Sequence, residues 1–386
     1  MLDYENLNKG ILQDVLLAGE KIAAIGNGLE YGNIPVKVID LEGRLLSPGY
    51  VDGHVHIIGA AGDEGYASKS PEIYMSHFMR GGITTAVGCL GHGIGCESLE
   101  QLYVKAQTLR SEGLSTYIYT GSFIMPPPSI TESIASDIAM LPWVVGVKMA
   151  IADGCSWRPT ADEFTRTACS AWIAGLQSGK SGVTHIHVGR NKVDNPFEFI
   201  FETARKNDIP LEQFVPTHCN WNADLVKSAP EYAKRGGYVD YSTTFDPDHS
   251  SLTSIAAHKA VMTALNSGAA VDRLSFSSDG NVGMSVRVKD GIKNGMYLER
   301  VTSLHRELKA LINKGMNVYE ALSLATINPA RRLGIYPQKG VIKTGSDADL
   351  IVYDENMEIS LVFVLGKAGF EDGQPRLFSL FEIEQA

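Results

Sequence analysis

Ser47-Pro-Gly-Tyr-Val-Asp-Gly-His-Val-His-Ile-Ile-Gly59 is the stretch that decides the fold. It predicts a short apolar strand that carries His54 and His56 near its end. Side chains two positions apart in a strand point to the same face, so both imidazoles project together. Two converging neutral imidazoles make half of a site for a divalent metal ion. A histidine pair on a solvated strand face is the alternative. The apolar strand and the glycines that follow it favour the metal site.

The composition is that of an ordinary globular protein. The chain has 386 residues, 44% hydrophobic residues and a net charge of −10. This length predicts about two domains, and the acidic balance excludes a typical nucleic-acid binder. No apolar run approaches the roughly 18 residues that span a bilayer, so we expect no membrane association. No signal peptide is expected, and five cysteines without a CxxC pair indicate reduced thiols in the cytoplasm.

Short strands are predicted at both ends of the chain. Asp14–Gly26 is typical of a hairpin that turns at Gly19-Glu20, and Val36–Ser47 of a second hairpin that turns at Glu42-Gly43. These strands are too few to bury a core alone. Further strands are predicted in 340–353 and 361–365. We therefore predict one small β-sandwich domain built from residues 1–48 and 336–386.

The region between, residues 49–335, alternates predicted strands with predicted helices. This alternation over eight strands is typical of a (β/α)8 TIM barrel of the α/β class, with a doubly wound open sheet as the alternative. Helices are expected in 98–112, 160–178, 196–207 and 254–267. The predicted strands are Tyr50–Val55, Thr84–Gly88, Ser115–Thr120, Val144–Ala150, Val183–Val188, Phe214–His218, Val239–Thr243 and Leu274–Ser278.

Candidate ligands fall at the carboxyl ends of these strands, where barrel enzymes place their chemistry. They are His54, His56, Lys148, His187, His218 and Asp279. Lys148 is unusual, because a buried unpaired ammonium costs several kcal/mol. It is therefore expected either to form an ion pair with Asp279 or Asp153, or to be carbamylated so that its new carboxylate bridges two metals.

The motifs together resemble the amidohydrolase superfamily, and within it the isoaspartyl dipeptidases. The resemblance implies a binuclear centre of two divalent metal ions, with zinc expected. One ion would bind His54, His56 and Asp279, the other His187 and His218, and carbamylated Lys148 and a hydroxide would bridge them. Asp279 would also act as general base and acid. His185 lies two positions before His187, and this spacing indicates a supporting or structural histidine rather than a ligand. The matching motifs are 48–56, 82–85, 146–148, 182–189, 216–218, 277–281 and 345–350.

The substrate positions depart from that family. A glutamate is replaced by Asp63, a tyrosine by Phe123, two arginines by Cys155 and Trp221, and a serine by Gly283. Losing both arginines removes the bidentate grip on a substrate carboxylate. The pocket is then more apolar, unless Arg158 or Arg190 refills it.

The sequence thus predicts a metal-dependent hydrolase of amide bonds that resembles isoaspartyl dipeptidase but has an altered pocket. An N-acyl amino acid, a cyclic amide or a lactone is the alternative substrate. A mononuclear deaminase is a rival that Lys148 disfavours, and a metal-free scaffold or binding protein is a rival outside catalysis. The expected partners are a small molecule or dipeptide and other copies of the chain in a homo-oligomer, with no nucleic acid and no membrane.

Overall fold

The computed structural model describes residues 10–60, 65–93, 95–154, 156–189, 195–245, 253–287, 293–298 and 300–382, without the side chains of 284–297. The chain folds as a mixed α/β protein. Its strands are β1 (Asp14–Ala18), β2 (Lys21–Gly26), β3 (Leu46–Pro48), β4 (Tyr50–Val55), β5 (Ile83–Gly88), β6 (Ser115–Gly121), β7 (Val144–Ala150), β8 (Val183–His187), β9 (Phe214–Thr217), β10 (Val239–Ser242), β11 (Leu274–Ser277), β12 (Gly283–Arg287), β13 (Lys293–Leu298), β14 (Leu350–Tyr353), β15 (Ile359–Val364), β16 (Lys367–Glu371) and β17 (Gln374–Pro375).

The central sheet contains six parallel strands in the order β4-β5-β6-β7-β8-β9. All residues of β4, β5, β7, β8 and β9 are buried, as expected of parallel strands covered on both faces. The next two strands, β10 and β11, form a parallel pair. Cys219 after β9 donates its backbone N–H to Asp240 in β10, and Asp279 after β11 donates to His54 in β4. The ends of this pair are therefore attached to β9 and to β4.

Helices connect consecutive parallel strands, which places the carboxyl ends of all these strands on one side. Their ends follow ordinary capping rules: Ser98 caps the helix Leu99–Glu112, and Thr160 with Glu163 forms a capping box on the helix Ala161–Ser178. None of the described helices is long and apolar enough to cross a membrane. The helices are α1 (Met75–Arg80), α2 (Leu99–Glu112), α3 (Ile134–Met140), α4 (Ala161–Ser178), α5 (Pro196–Asn207), α6 (Ala223–Lys234), α7 (Ala257–Asn266), α8 (Ser303–Asn313), α9 (Val318–Ser323) and α10 (Ile327–Arg332).

The two ends of the chain meet in smaller sheets. β3 joins the C-terminal strands in a five-stranded sheet of order β17-β16-β15-β14-β3, and β1 pairs with β2. The predicted first hairpin is confirmed, with its turn between Ala18 and Lys21. The predicted second hairpin is wrong, because residues 36–45 contain no strand and only Leu46–Pro48 pairs, with β14. Val38 in this segment is 72% exposed, so no facing strand covers it.

Candidate metal centre

The predicted ligands come together at the carboxyl edge of the parallel strands. His54 lies in β4, Lys148 in β7 and His187 in β8. His218 follows β9, and Asp279 follows β11 after one serine. The carboxyl ends of neighbouring parallel strands lie side by side, so side chains separated by more than 200 residues of sequence meet here.

Asp279 is in contact with three histidines. Its Oδ1 lies 3.3 Å from Nε2 of His54 and 3.2 Å from Nε2 of His56, and its Oδ2 lies 3.6 Å from Nδ1 of His218. All four side chains are at least nine-tenths buried. Three residues each offer one donor atom, and these atoms lie within 4.8 Å of one another, close enough to share a metal ion: His54, His218 and Asp279. Imidazole and carboxylate donors at such spacing suit zinc and similar divalent ions.

Lys148 reaches the same cluster from β7. Its Nζ lies 3.3 Å from the ring nitrogens of His54, and the side chain is fully buried. Burial is the main cause that lowers the pKa of Lys148, because the charged form loses its hydration. The expected ion pair with Asp279 or Asp153 is not formed; among the described residues Lys148 has no acidic partner within 4 Å. A lowered pKa raises the share of neutral amine, the form that reacts with carbon dioxide.

His187 lies next to His218 but is held by a different acid. The two rings are 4.7 Å apart, centroid to centroid. Nε2 of His187 is 2.9 Å from Oδ2 of Asp153, and both side chains are buried. Burial lowers the pKa of His187, and Asp153 partly offsets this effect. The structure thus brings His187 beside the Asp279 cluster, with Asp153 fixing the orientation of its ring.

His185 contacts the ring of His54. Its Nε2 lies 3.0 Å from Nδ1 of His54, and its ring stacks on Tyr119 at 4.7 Å. Burial lowers the pKa of His185 well below its usual value, which keeps the ring neutral. This placement agrees with the supporting position expected for His185.

The backbone around the site is held in a strained form. His218, Asp279 and Asn281 have φ angles of 64°, 55° and 69°, a region that residues other than glycine seldom adopt. Nδ2 of Asn281 donates to the carbonyl oxygens of His56 and Pro71, at 2.9 and 2.8 Å. These bonds tie the turn that carries Asp279 to the strand that carries the histidine pair.

Two buried carboxylates beneath the site were not assigned roles from the sequence. Oδ1 of Asp52 accepts the backbone N–H groups of Ser278 (2.9 Å) and His54 (3.3 Å), which joins β11 to β4. Burial raises the pKa of Asp52 to about 7. Asp240 lies 3.2 Å from Nη1 of Arg332, and both side chains are fully buried. Asp52 belongs to the opening motif, but nothing local to Asp240 indicates its partner 92 residues away.

Aromatic rings lie beside His187 and His218, and two of them, Phe123 and Trp221, are at predicted substrate positions. The ring of Phe123 lies 4.6 Å from that of His187, and Trp221 lies 5.6 Å from both His187 and His218. Phe245, which the sequence did not indicate, lies 5.5 Å from His218 and 4.6 Å from Trp221.

The remaining predicted substrate residues are less informative. Gly283 begins β12, and Arg158 is exposed, which gives no support to its refilling of the pocket. A cavity of about 180 Å³ lies beside Phe123 and is lined by residues that include His92, Glu97 and Ser122. Asp63, Cys155 and Arg190 lie outside the described residues.

The chain matches known proteins of one family. The model of the amidohydrolase family matches residues 222–369. The crystal structure of β-aspartyl dipeptidase from Fervidobacterium islandicum AW-1 in complex with β-Asp-Leu is 35% identical, with a TM-score of 0.84 and coverage of 94% of each chain.

Two sequence relatives extend the match. Imidazolonepropionase of Thermoplasma acidophilum is 51% identical over 392 positions, which cover 91% of this chain and 85% of that protein. D-Hydantoinase of Streptomyces coelicolor is 24% identical, with coverage of 89% and 82%. The chain belongs to the amidohydrolase family. It is a hydrolytic enzyme that acts on amide bonds, with close structural similarity to β-aspartyl dipeptidase.

Proposed function

We propose that this protein is a metal-dependent amide hydrolase whose small-molecule or dipeptide substrate carries an apolar group next to the amide that is cleaved. The eight parallel strands would close into a (β/α)8 barrel over residues 49–335, and residues 1–48 and 336–386 would form a small β-sandwich domain. The attachments of β10 to β9 and of β11 to β4 support the barrel. The sheet shared by β3 and β14 supports a domain built from both ends.

The residues present fit a binuclear divalent centre. His54, His56 and Asp279 would hold one ion, His187 and His218 the other, and carbamylated Lys148 would bridge them. The donors are imidazoles and a carboxylate, which zinc prefers, and Nδ1 of His56 is buried without a hydrogen-bond partner in the described part of the chain. When bound, such ions polarise the substrate carbonyl and make a water acidic enough to ionise near neutral pH.

Asp279 is the proposed general base and acid. Its carboxylate lies at the centre of the histidine cluster, within 3.6 Å of three rings. From this place it would accept a proton from the attacking water and pass it to the leaving amine. The strained backbone at Asp279 and the bonds made by Asn281 hold the carboxylate in position.

The aromatic surroundings of His187 and His218 carry the proposal about the substrate. Phe123, Trp221 and Phe245 form an apolar wall, and burial of apolar substrate surface against it contributes about 25 cal/mol per Å². Among the described residues, the basic group that contacts these rings is Lys148, whose Nζ lies 6.0 Å from the centre of the Phe123 ring. Lys148 is assigned to the metal bridge and not to a substrate carboxylate. An N-acyl amino acid with a hydrophobic acyl group fits this wall better than β-Asp-Leu does.

A cyclic amide is the second candidate substrate. Sequence similarity to the D-hydantoinase of Streptomyces coelicolor, which is named for a ring substrate, favours it. A lactone has no comparable support. Homo-oligomer formation and a cytoplasmic location stay predictions.

Kinetics on zinc-loaded protein test the proposal. We expect the specificity constant for a hydrophobic N-acyl amino acid to exceed that for β-Asp-Leu at least tenfold. β-Asp-Leu carries two carboxylates and the N-acyl amino acid one, and each lost charge-assisted hydrogen bond costs about 1.5–3 kcal/mol. Trp221→Ala should reduce this preference by removing part of the apolar wall. Turnover of β-Asp-Leu at roughly 10⁴ M⁻¹s⁻¹ or more would show that the pocket still holds a dipeptide.

A further inference from the structure

Cys89 lies beside His54 of β4 and His56, which follows that strand. It directly follows β5, the neighbour of β4 in the sheet, and its side chain is fully buried. Its Sγ and one ring nitrogen each of His54 and His56 lie within 4.8 Å of one another. Three side chains that ligate soft divalent metals therefore converge at this end of the sheet.

Packing alone does not account for this cysteine. Buried cysteines often behave as small hydrophobic residues, and Cys89 does pack with Val51 and Val87. A purely apolar role would not need polar neighbours. Here Nδ1 of His56 is buried with no hydrogen-bond partner among the described residues. The Cys89 thiol contacts the carbonyl oxygen of Val55, in the strand that carries His54, at 3.9 Å.

We propose that Cys89 is a metal ligand whose thiolate binds the same ion as His54 and His56. This inference rests on the proposed metal dependence of the site. Binding forms a metal–sulfur bond and releases the thiol proton to solvent, since only the thiolate ligates. Asp279 contacts the same two histidines, so Cys89 would add a sulfur donor to the imidazole and carboxylate donors proposed for this ion.

A thiolate changes the metal that the site selects. Soft sulfur donors favour zinc, cobalt or cadmium over magnesium and manganese, which prefer oxygen. The predicted ligands from the family motifs contain no sulfur, so Cys89 would give this chain a softer centre than those motifs alone imply.

Cobalt substitution tests the proposal with a spectroscopic readout. Full-length protein is stripped with a chelator and titrated with Co²⁺, and the absorption spectrum is followed. We expect visible bands from bound cobalt together with a near-ultraviolet thiolate-to-cobalt charge-transfer band. Cys89→Ser should lose the charge-transfer band, keep the visible bands, and release about one proton fewer per chain on binding.

Cys219→Ser is the matched control. Cys219 is also buried and follows the candidate ligand His218, and its Sγ contacts the carbonyl oxygen of Pro216 at 3.3 Å. Unlike Cys89, it belongs to neither group of potential metal donors in the described part of the chain. This variant should keep the charge-transfer band. If Cys89→Ser does not fold, Cys89→Ala and the wild-type spectrum decide the question.

The outcomes separate this inference from the proposed function. Visible cobalt bands without a charge-transfer band in the wild type would overturn the role of Cys89 and leave a metal site without sulfur. A charge-transfer band that survives in Cys89→Ser would also overturn it. Absence of any cobalt binding would overturn both the ligand role and the metal dependence.

Discussion

Replacement of Asp153 should weaken metal binding while leaving the fold intact. Oδ2 of Asp153 lies 2.9 Å from Nε2 of His187, and both side chains are buried. A histidine that ligates a metal commonly donates its other N–H to a carboxylate, which fixes the tautomer and the ring orientation. With Nε2 donating to Asp153, the lone pair of Nδ1 is left for the metal.

The expected loss follows from this contact. Removing such a partner costs about 10–100-fold in metal affinity, or about 1.4–2.8 kcal/mol. A hydrogen bond to a charged group contributes about the same, 1.5–3 kcal/mol. Asp153→Asn keeps an oxygen acceptor in place, so its loss of metal affinity should be at the lower end of this range. Asp153→Ala leaves Nε2 of His187 buried and unpaired, so its loss of metal affinity should be at the upper end.

Competition between the protein and a chelating zinc indicator measures this affinity, and thermal unfolding of the metal-free protein measures stability. Glu307→Gln is the control, because Glu307 is a buried carboxylate 2.8 Å from Nδ1 of His258 on another helix. It should lower stability without changing zinc affinity. Unchanged zinc affinity in Asp153→Ala, or an equal loss in Glu307→Gln, would refute the reasoning.

Two further predictions concern the lysine and the buried aspartate. Elemental analysis of zinc-supplemented protein should find about two ions per chain. The Lys148→Ala variant should bind fewer ions and lose turnover, and acetate or propionate should partly restore its activity. A Lys148→Ala variant with full activity and both ions would show that Lys148 is only structural. Asp52→Asn should flatten the pH dependence of stability in metal-free protein. Burial raises the pKa of Asp52 from 3.8 to about 7, so its stabilising contribution, full below about pH 4, is lost as the pH rises toward 7. The loss is at most about 1.4 kcal/mol per pH unit. Urea unfolding at about pH 4 and about pH 7 measures the free energy of unfolding of the wild type and of Asp52→Asn. An equal loss of this free energy between the two pH values in both proteins would contradict the raised pKa of Asp52.

Local periodicity explains what could be predicted from the sequence. The spacing of His54 and His56 matches the period of a strand, and both rings do reach the same cluster. The position of Asp279 after a short apolar strand predicts its place at this edge of the sheet, and Asp279 contacts both histidines. These predictions depended on residues close together in the chain, or on the rule that parallel strands end on one side.

Long-range pairing explains what could not be predicted. Asp240 meets Arg332 across 92 residues, and Phe245 approaches Trp221 from a separate connection; neither pair leaves a periodic signal. The wrong hairpin at 36–47 has a related cause. Alternating apolar residues show that a segment is able to pair, but not which strand will pair with it. Here β14 supplies the partner for β3.

The pairing of β3 with β14 also sets the order in which the site is completed during synthesis. β3 ends at Pro48, and the strand that carries the histidine pair begins at Tyr50. Gly49 between them donates its N–H to Asp349, and the hydroxyl of Tyr353 bonds that of Tyr50 at 2.9 Å. Residues near 350 therefore anchor the first strand of the site. Because a chain emerges from its N-terminus, this strand waits for its anchor Tyr353 until 303 further residues have been made. During that interval the apolar strand depends on its other neighbours, or on chaperones, for protection from aggregation.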